Sequence, residues 1–222
     1  MGMGQRRIVL LVLAALVLGG LVWVPAASAA GEEANILGYV QGTGYKFTTP
    51  LPNAYLELWR AEGTPGSWTF TNTNFTAITD WSGWYNLTTD AALPLYYGAN
   101  MAFWPFVENY EQVFSPMFSL APYEVKVVNI KLQVLPSNWS GKVVKKQGGH
   151  PLGKVKVAVA GKYVYTANNG KWKIPGMLLQ PGVKYKVTYT KSGYKKIEKS
   201  YMSSPTNTGE YFGVGTVKMV KK

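Results

Sequence analysis

The sequence predicts an all-β protein, built as two tandem antiparallel Greek-key β-sandwiches of about seven strands each behind an N-terminal signal helix. Three observations carry that expectation. Past residue 30 the apolar residues alternate in short runs, and no window of helix length holds a helical period. Aromatic residues make up 14% of the chain, and 24 glycines and 13 prolines punctuate it, as strands joined by tight turns require. One block also occurs twice. Thr79-Asp80-Trp81-Ser82-Gly83-Trp84-Tyr85-Asn86-Leu87 returns as Thr166-Ala167-Asn168-Asn169-Gly170-Lys171-Trp172-Lys173-Ile174. Both copies keep the threonine, the glycine four residues on, and apolar residues two and four beyond that glycine.

The elements follow in order. Arg6 and Arg7 precede an uncharged apolar run over residues 8–24, then Pro25 and Ala27-Ser28-Ala29-Ala30, the layout of a secretory signal cleaved near Ala29 or Ala30. An uncleaved membrane anchor is the less favoured alternative. Residues 31–136 and 137–222 are then the two domains. In the first, strands are expected over 36–40, 54–60, 101–107, 113–120 and 124–134, with 61–74 an inserted hairpin or loop and Pro105 leaving its strand incompletely paired or at an edge. In the second, strands are expected over 138–144, 154–159, 171–174, 184–189 and 216–219. With no cysteine in the chain, neither domain has a disulfide to lean on, so each must stand on its own core.

The halves align beyond the corner: Gly38 before Val40 with Gly141 before Val143, Pro50-Leu51 with Pro151-Leu152, Tyr110 with Gly193-Tyr194. On these residues both halves resemble the carboxypeptidase regulatory-like domain, whose fold is similar to that of transthyretin. The second copy departs at the acid of the corner, where Ala167 stands in place of Asp80. The resemblance implies a β-sandwich and a non-catalytic accessory or surface role. The collagen-adhesin B-type domain is similar in shape and cross-links Lys to Asn beside a buried acid, and no such triad stands out here.

Net charge is +12, unevenly spread: residues 31–136 hold four Lys or Arg against nine acids, and residues 137–222 hold seventeen Lys against Glu198 and Glu210. The inventory for catalysis is poor. His150 is the only histidine and sits between Gly149 and Pro151 in a turn, so neither a thiol nucleophile nor a zinc-type cluster can be assembled. Asp80, Asp90, Glu108 and Glu111 are the remaining candidates for a carboxylate pair. The expectation is therefore no enzyme, no cofactor and no metal.

Three binding readings are open. Trp68, Trp81 and Trp84 could stack on sugar rings, making the protein a carbohydrate-binding accessory module, or could cover apolar surface. Lys154, Lys156, Lys171, Lys173, Lys184 and Lys186 alternate with inward residues and could hold an anionic surface polymer, acidic polysaccharide or membrane surface, or could only protect and solvate the sheet. Specific nucleic-acid recognition is not expected, because arginine is almost absent past the signal. An acidic domain joined to a basic one could also associate head to tail into a filament. Each reading places a structural or adhesive protein at the cell exterior. Sequons stand at Asn74, Asn86 and Asn138.

Overall fold

The computed structural model of the chain describes residues 34–88, 93–203, 205 and 209–222, so the expected signal helix, its cleavage site and Asp90 lie outside the described residues. The first half holds β1 (Asn35–Gly44), β2 (Phe47–Pro50), β3 (Tyr55–Thr64), β4 (Ser67–Ile78), β5 (Trp84–Thr88), β6 (Asn100–Phe106), β7 (Val125–Val127) and β8 (Ile130–Gln133). The second holds β9 (Ser137–Lys145), β10 (Lys156–Val159), β11 (Lys162–Tyr165), β12 (Lys171–Met177), β13 (Lys184–Thr190), β14 (Ile197–Met202) and β15 (Tyr211–Met219). The described chain is thus all-β apart from a short 3-10 turn at Leu93–Tyr96.

In the first half β2-β1-β5, extended by β7 and β8 beside β1, forms one sheet and β4-β3-β6 the other. In the second half the sheets are β12-β9-β15 and β11-β10-β13-β14. Inward residues of each pair of sheets close a core. Ile36, Val40, Leu56, Leu58, Met101, Phe103, Ile130 and Leu132 meet in one cluster. Trp139, Val143, Val157, Ile174, Val187, Tyr189 and Val217 meet in the other. Burying side chains of this size stabilises by about 1.5–3 kcal/mol each, and alternation on every strand delivers them to one face. The halves also touch: the Tyr45 N–H donates to the Leu178 carbonyl at 2.6 Å, and Leu178 packs on the first core.

Both halves are built on the same hydrogen-bond set at the repeated corner. Thr79 Oγ1 accepts from the Ala54 N–H at 2.8 Å and donates to the Leu51 carbonyl at 2.6 Å. Thr166 Oγ1 accepts from the Val155 N–H at 3.0 Å and donates to the Leu152 carbonyl at 2.7 Å. The Val40 N–H donates to the Gly83 carbonyl and the Leu51 N–H to that of Val40, as Val143 donates to Gly170 and Leu152 to Val143. Each glycine has positive φ, 76° at Gly83 and 77° at Gly170. A Cβ there would stand 2.7 Å from the Val40 oxygen or 2.3 Å from the Val143 oxygen, so only glycine lets the turn lie against the first strand of its half.

Three expectations need correction. The sheets are not purely antiparallel: β7 and β8 run parallel to β1, and β15 runs parallel to β9, because the last strand of each half returns beside the first. The strand expected over 124–134 is two, broken at Val128 and Asn129. There the Val128 carbonyl accepts the Tyr85 hydroxyl at 2.6 Å and Asn129 Oδ1 accepts the Tyr39 N–H at 3.0 Å, while Gly38 leaves room for a Val128 oxygen that would lie 2.2 Å from a Cβ. Residues 113–120 are not a strand; they follow β6 only through the bridge Met101–Phe118 and Ser115, whose hydroxyl accepts the Phe103 N–H. Of the two readings of residues 61–74 the hairpin is the one observed: they form the tip of the long antiparallel ladder of β3 with β4, which runs from Tyr55 opposite Ile78 to Thr64 opposite Ser67 with a register shift between Glu57 and Trp59. Pro105 does lie in an edge strand, since among the described residues β6 has β3 as its only ladder partner.

Thr166→Val is expected to lower unfolding free energy by about 1–3 kcal/mol, the cost of leaving a buried amide without its acceptor, with Thr166→Ser close to wild type. Gly170→Ala should cost more, adding the collision with Val143 to the left-handed penalty of about 1–2 kcal/mol. Urea unfolding of the three variants checks both.

Candidate functional site

The corner of the first half is a rigid mount for an exposed ring. Asp80 Oδ1 accepts from the Ser82 N–H at 2.8 Å, the Ser82 hydroxyl at 2.7 Å and the Trp84 N–H at 3.0 Å. The Ser82 hydroxyl is the main reason, ahead of the two amides, that the Asp80 carboxyl is held below its ordinary range. In the second half Asn169 Oδ1 accepts the Lys171 N–H, so the acid of the first copy is a turn-forming acceptor with a neutral counterpart. Trp81, at the tip, is 85% exposed.

Trp84 is half-buried and packs edge-on against Tyr39, ring centres 4.9 Å apart. Register places Leu37 beside Val127, and Asn35 beside Val125, on the same sheet. Val125 and Val127 are exposed, so an apolar strip continues outward from the Tyr39–Trp84 pair. Trp68 does not join it. It lies next to the far end of β4, whose 12 residues reach roughly 40 Å from the hairpin tip to the corner.

A second aromatic group, on the outer side of β4-β3-β6, was not read from the sequence. Phe70 and Phe114 stack at 3.8 Å, Trp104 lies 4.5 Å and Trp59 6.0 Å from Phe114, and Trp59 Nε1 donates to Glu57 Oε2. Alternation could have put Trp59 and Trp104 on outward positions. Their meeting depends on Phe114, from the irregular segment after β6, and no local pattern reports that.

The lysines divide between two sheets. Lys171 and Lys173 lie on β12, with Lys171 directly opposite Lys142 of β9. Lys156 lies on β10, and Lys184 and Lys186 on β13, in the other sheet of the second half. All five are exposed, as is Lys154 in the turn before β10. Lys156 sits over the Tyr163 ring at 4.4 Å and Lys173 over Tyr211 at 4.5 Å, contacts that hold an ammonium group without cancelling its charge. Lys186 and Lys196 both bridge to Glu198, at 2.9 and 2.6 Å. The hydrogen bonds from Lys196 and then Lys186 pull the Glu198 carboxyl from 4.5 down to about 2.

The other candidates are dispersed. His150 is exposed and its carbonyl accepts the Lys145 N–H. Glu111 pairs with Gln133, and Glu108 is exposed in the turn beside Asn109. Among the described residues no three His, Cys, Asp or Glu side chains stand close enough to hold a metal, and no helix is long and apolar enough to cross a membrane. Of the sequons, Asn74 and Asn86 are exposed, whereas Asn138 is buried and its Oδ1 accepts the Gly176 N–H at 2.8 Å.

No protein-family model matches the sequence, and no curated protein sequence matches it. In shape the chain is similar to a number of solved structures. The Bacillus anthracis TIE protein is 15% identical at a TM-score of 0.43, covering 85% of this chain, which spans only 34% of that one. A shaft pilin of Lactobacillus rhamnosus GG is 10% identical at a TM-score of 0.33, covering 86% and 98%. A minor pilin of Streptococcus agalactiae is 14% identical at a TM-score of 0.33, covering 85% and 96%. At these values the functional reading is left to the geometry of the chain itself.

Glu198 yields a signed pH prediction. Its folded value lies below its ordinary one, so its contribution to stability is present above about 4.5 and is lost as pH falls toward about 2. Thermal melts across that window should therefore slope less in Glu198→Gln than in wild type, the two curves approaching each other at the acid end.

Proposed function

We propose that the chain is a non-catalytic secreted or cell-surface structural protein made of two tandem β-sandwich domains of the carboxypeptidase regulatory-like kind, 31–136 and 137–222. The second domain binds anionic polymer at the cell exterior. The observation that carries this reading is the pair of lysine-lined faces of the second half, with Lys142 and Lys171 directly opposed across one ladder. Like charges in that position destabilise a sheet, and a bound polyanion relieves the repulsion. Lysine offers point charges rather than the planar fork of arginine, which suits attraction to charge density more than readout of a sequence.

A second reading rests on Trp81, whose exposure and fixed mount at the Asp80 turn suit stacking on a sugar ring. An accessory carbohydrate-binding role would use Trp81 with Trp84 and Tyr39, and Trp68 would take no part in the same platform.

Retention on an immobilised anionic polysaccharide or wall polymer should exceed retention on a plain cation exchanger of matched charge density. It should weaken as salt shortens the screening length below about 10 Å. Lys171→Gln/Lys173→Gln/Lys184→Gln/Lys186→Gln should elute at lower salt. Equal retention on both supports contradicts the binding role and leaves a merely solvated sheet. Unchanged polysaccharide pull-down by Trp81→Ala removes the second reading.

A further inference from the structure

The second half contains a groove of about 450 Å³ lined by Lys154, Lys191, Lys196 and Lys222 with Tyr165 and Tyr194 as aromatic walls and no carboxylate side chain. Four segments build it. The turn before β10 supplies Lys154, the end of β11 supplies Tyr165, the end of β13 and the stretch leading to β14 supply Thr190, Lys191, Ser192, Tyr194 and Lys196, and the segment after β15 supplies Lys222. Hydrogen bonds tie them together: Lys191 Nζ donates to the Gly153 carbonyl at 2.8 Å, the Lys222 N–H to the Gly193 carbonyl, and the Lys195 N–H to the Val220 carbonyl. Among the described residues Lys196 shares its charge with Glu198, whereas Lys154, Lys191 and Lys222 make no salt bridge.

The first half serves as an internal comparison, because its backbone makes the same groove-forming bonds. The Asn53 N–H donates to Thr79 as the Lys154 N–H donates to Thr166; the Tyr110 N–H donates to Val107 as that of Tyr194 donates to Lys191; the Leu135 N–H donates to Asn109 as that of Lys222 donates to Gly193. Lys154, Lys191 and Lys222 therefore stand where the first half has Asn53, Val107 and Leu135. Asn53 and Lys154 share the same left-handed backbone, φ 56° in each. Asparagine tolerates that conformation and lysine tolerates it less well, so the fold itself gives no reason for a lysine there.

We propose that this groove is a binding site for a phosphate group, presented by a phosphodiester polymer of the cell exterior. The proposal rests on the anionic-polymer reading above and adds to it one built subsite and its preferred anion. A tetrahedral phosphate offers acceptor oxygens in several directions, which matches ammonium donors arriving from separate segments. A planar carboxylate is better matched by a guanidinium fork, and the groove has none. The Thr190 and Ser192 hydroxyls line the same space as further donors, and the tyrosine walls can pack against the carbon linker between successive phosphates.

The test uses the full mature chain and calorimetric titration with poly(glycerol phosphate), and with polygalacturonate of matched charge. Lys154→Asn/Lys222→Gln, which places at residue 154 the residue type of the first half, should weaken poly(glycerol phosphate) binding at least ten-fold and polygalacturonate binding by much less. Lys46→Gln/Lys131→Gln, two exposed lysines of the first half, removes the same charge and should leave the phosphate polymer's affinity within two-fold of wild type. Addition of inorganic phosphate to the wild-type chain should shift the amides of Gly153, Ser192 and Tyr194 with saturation, a readout independent of variant folding. Equal losses for the two double variants, or the same affinity for both polymers, overturn the groove while the lysine faces still bind polyanion. Failure of both polymers to bind overturns both proposals.

Discussion

A single threonine hydroxyl in each half, clamped between the amide of one strand and the carbonyl of the turn before it, is the contact on which the rest of the molecule depends. Thr79 and Thr166 are both buried, so neither hydroxyl can turn to solvent for its partners. Each hydroxyl fixes the Pro-Leu turn against the strand that leads to the corner, and the glycine four residues on then lays that corner against the first strand of its half. With those two junctions set, the sheet edges are in register and alternation sorts side chains into core and surface without further instruction. The repetition of the bond set, residue for residue, shows that it is scaffold rather than site.

Scaffold of this kind sharpens the search for function, because whatever differs between halves at equivalent backbone positions is not demanded by the fold. The acid at Asp80 loses its functional interest on this comparison: its carboxylate closes a turn, and Asn169 does part of the same work in the second half. The lysines gain interest. Lys154 occupies a backbone position for which Asn53 is the easier choice, and Lys142 faces Lys171 where an uncharged pair would be more stable. Charge has been concentrated where local stability argues against it, and the first half is left mildly acidic and rich in exposed rings.

Much of the fold was legible because its signals are local. The Thr-to-Gly corner, the Pro-Leu turns and the alternating runs of β3, β10 and β13 each announce themselves within a few residues. The break between β7 and β8 was not legible, since it follows from the Tyr85 hydroxyl and the space above Gly38, both remote in sequence. Parallel return of β15 beside β9 is likewise a matter of topology and leaves no mark on alternation. The candidate sites divide in the same way. Trp81 and the outward lysines could be read from pattern, but the separation of Trp68, the Tyr39–Trp84 contact, the Phe114-centred cluster and the basic groove all require segments far apart in the chain to meet.

The claim that a shared corner holds the molecule while unshared lysines serve it is tested most directly by amide hydrogen exchange with and without an anionic polymer. The account predicts that the amides of Val40, Leu51, Val143 and Leu152 are among the slowest in both states, opening only with global unfolding. It further predicts that the polymer adds protection only beyond residue 137, centred on the turn at Gly153 and the bend at Ser192. Fast exchange at the corner amides, or added protection centred on Trp81 in the first half, would contradict it.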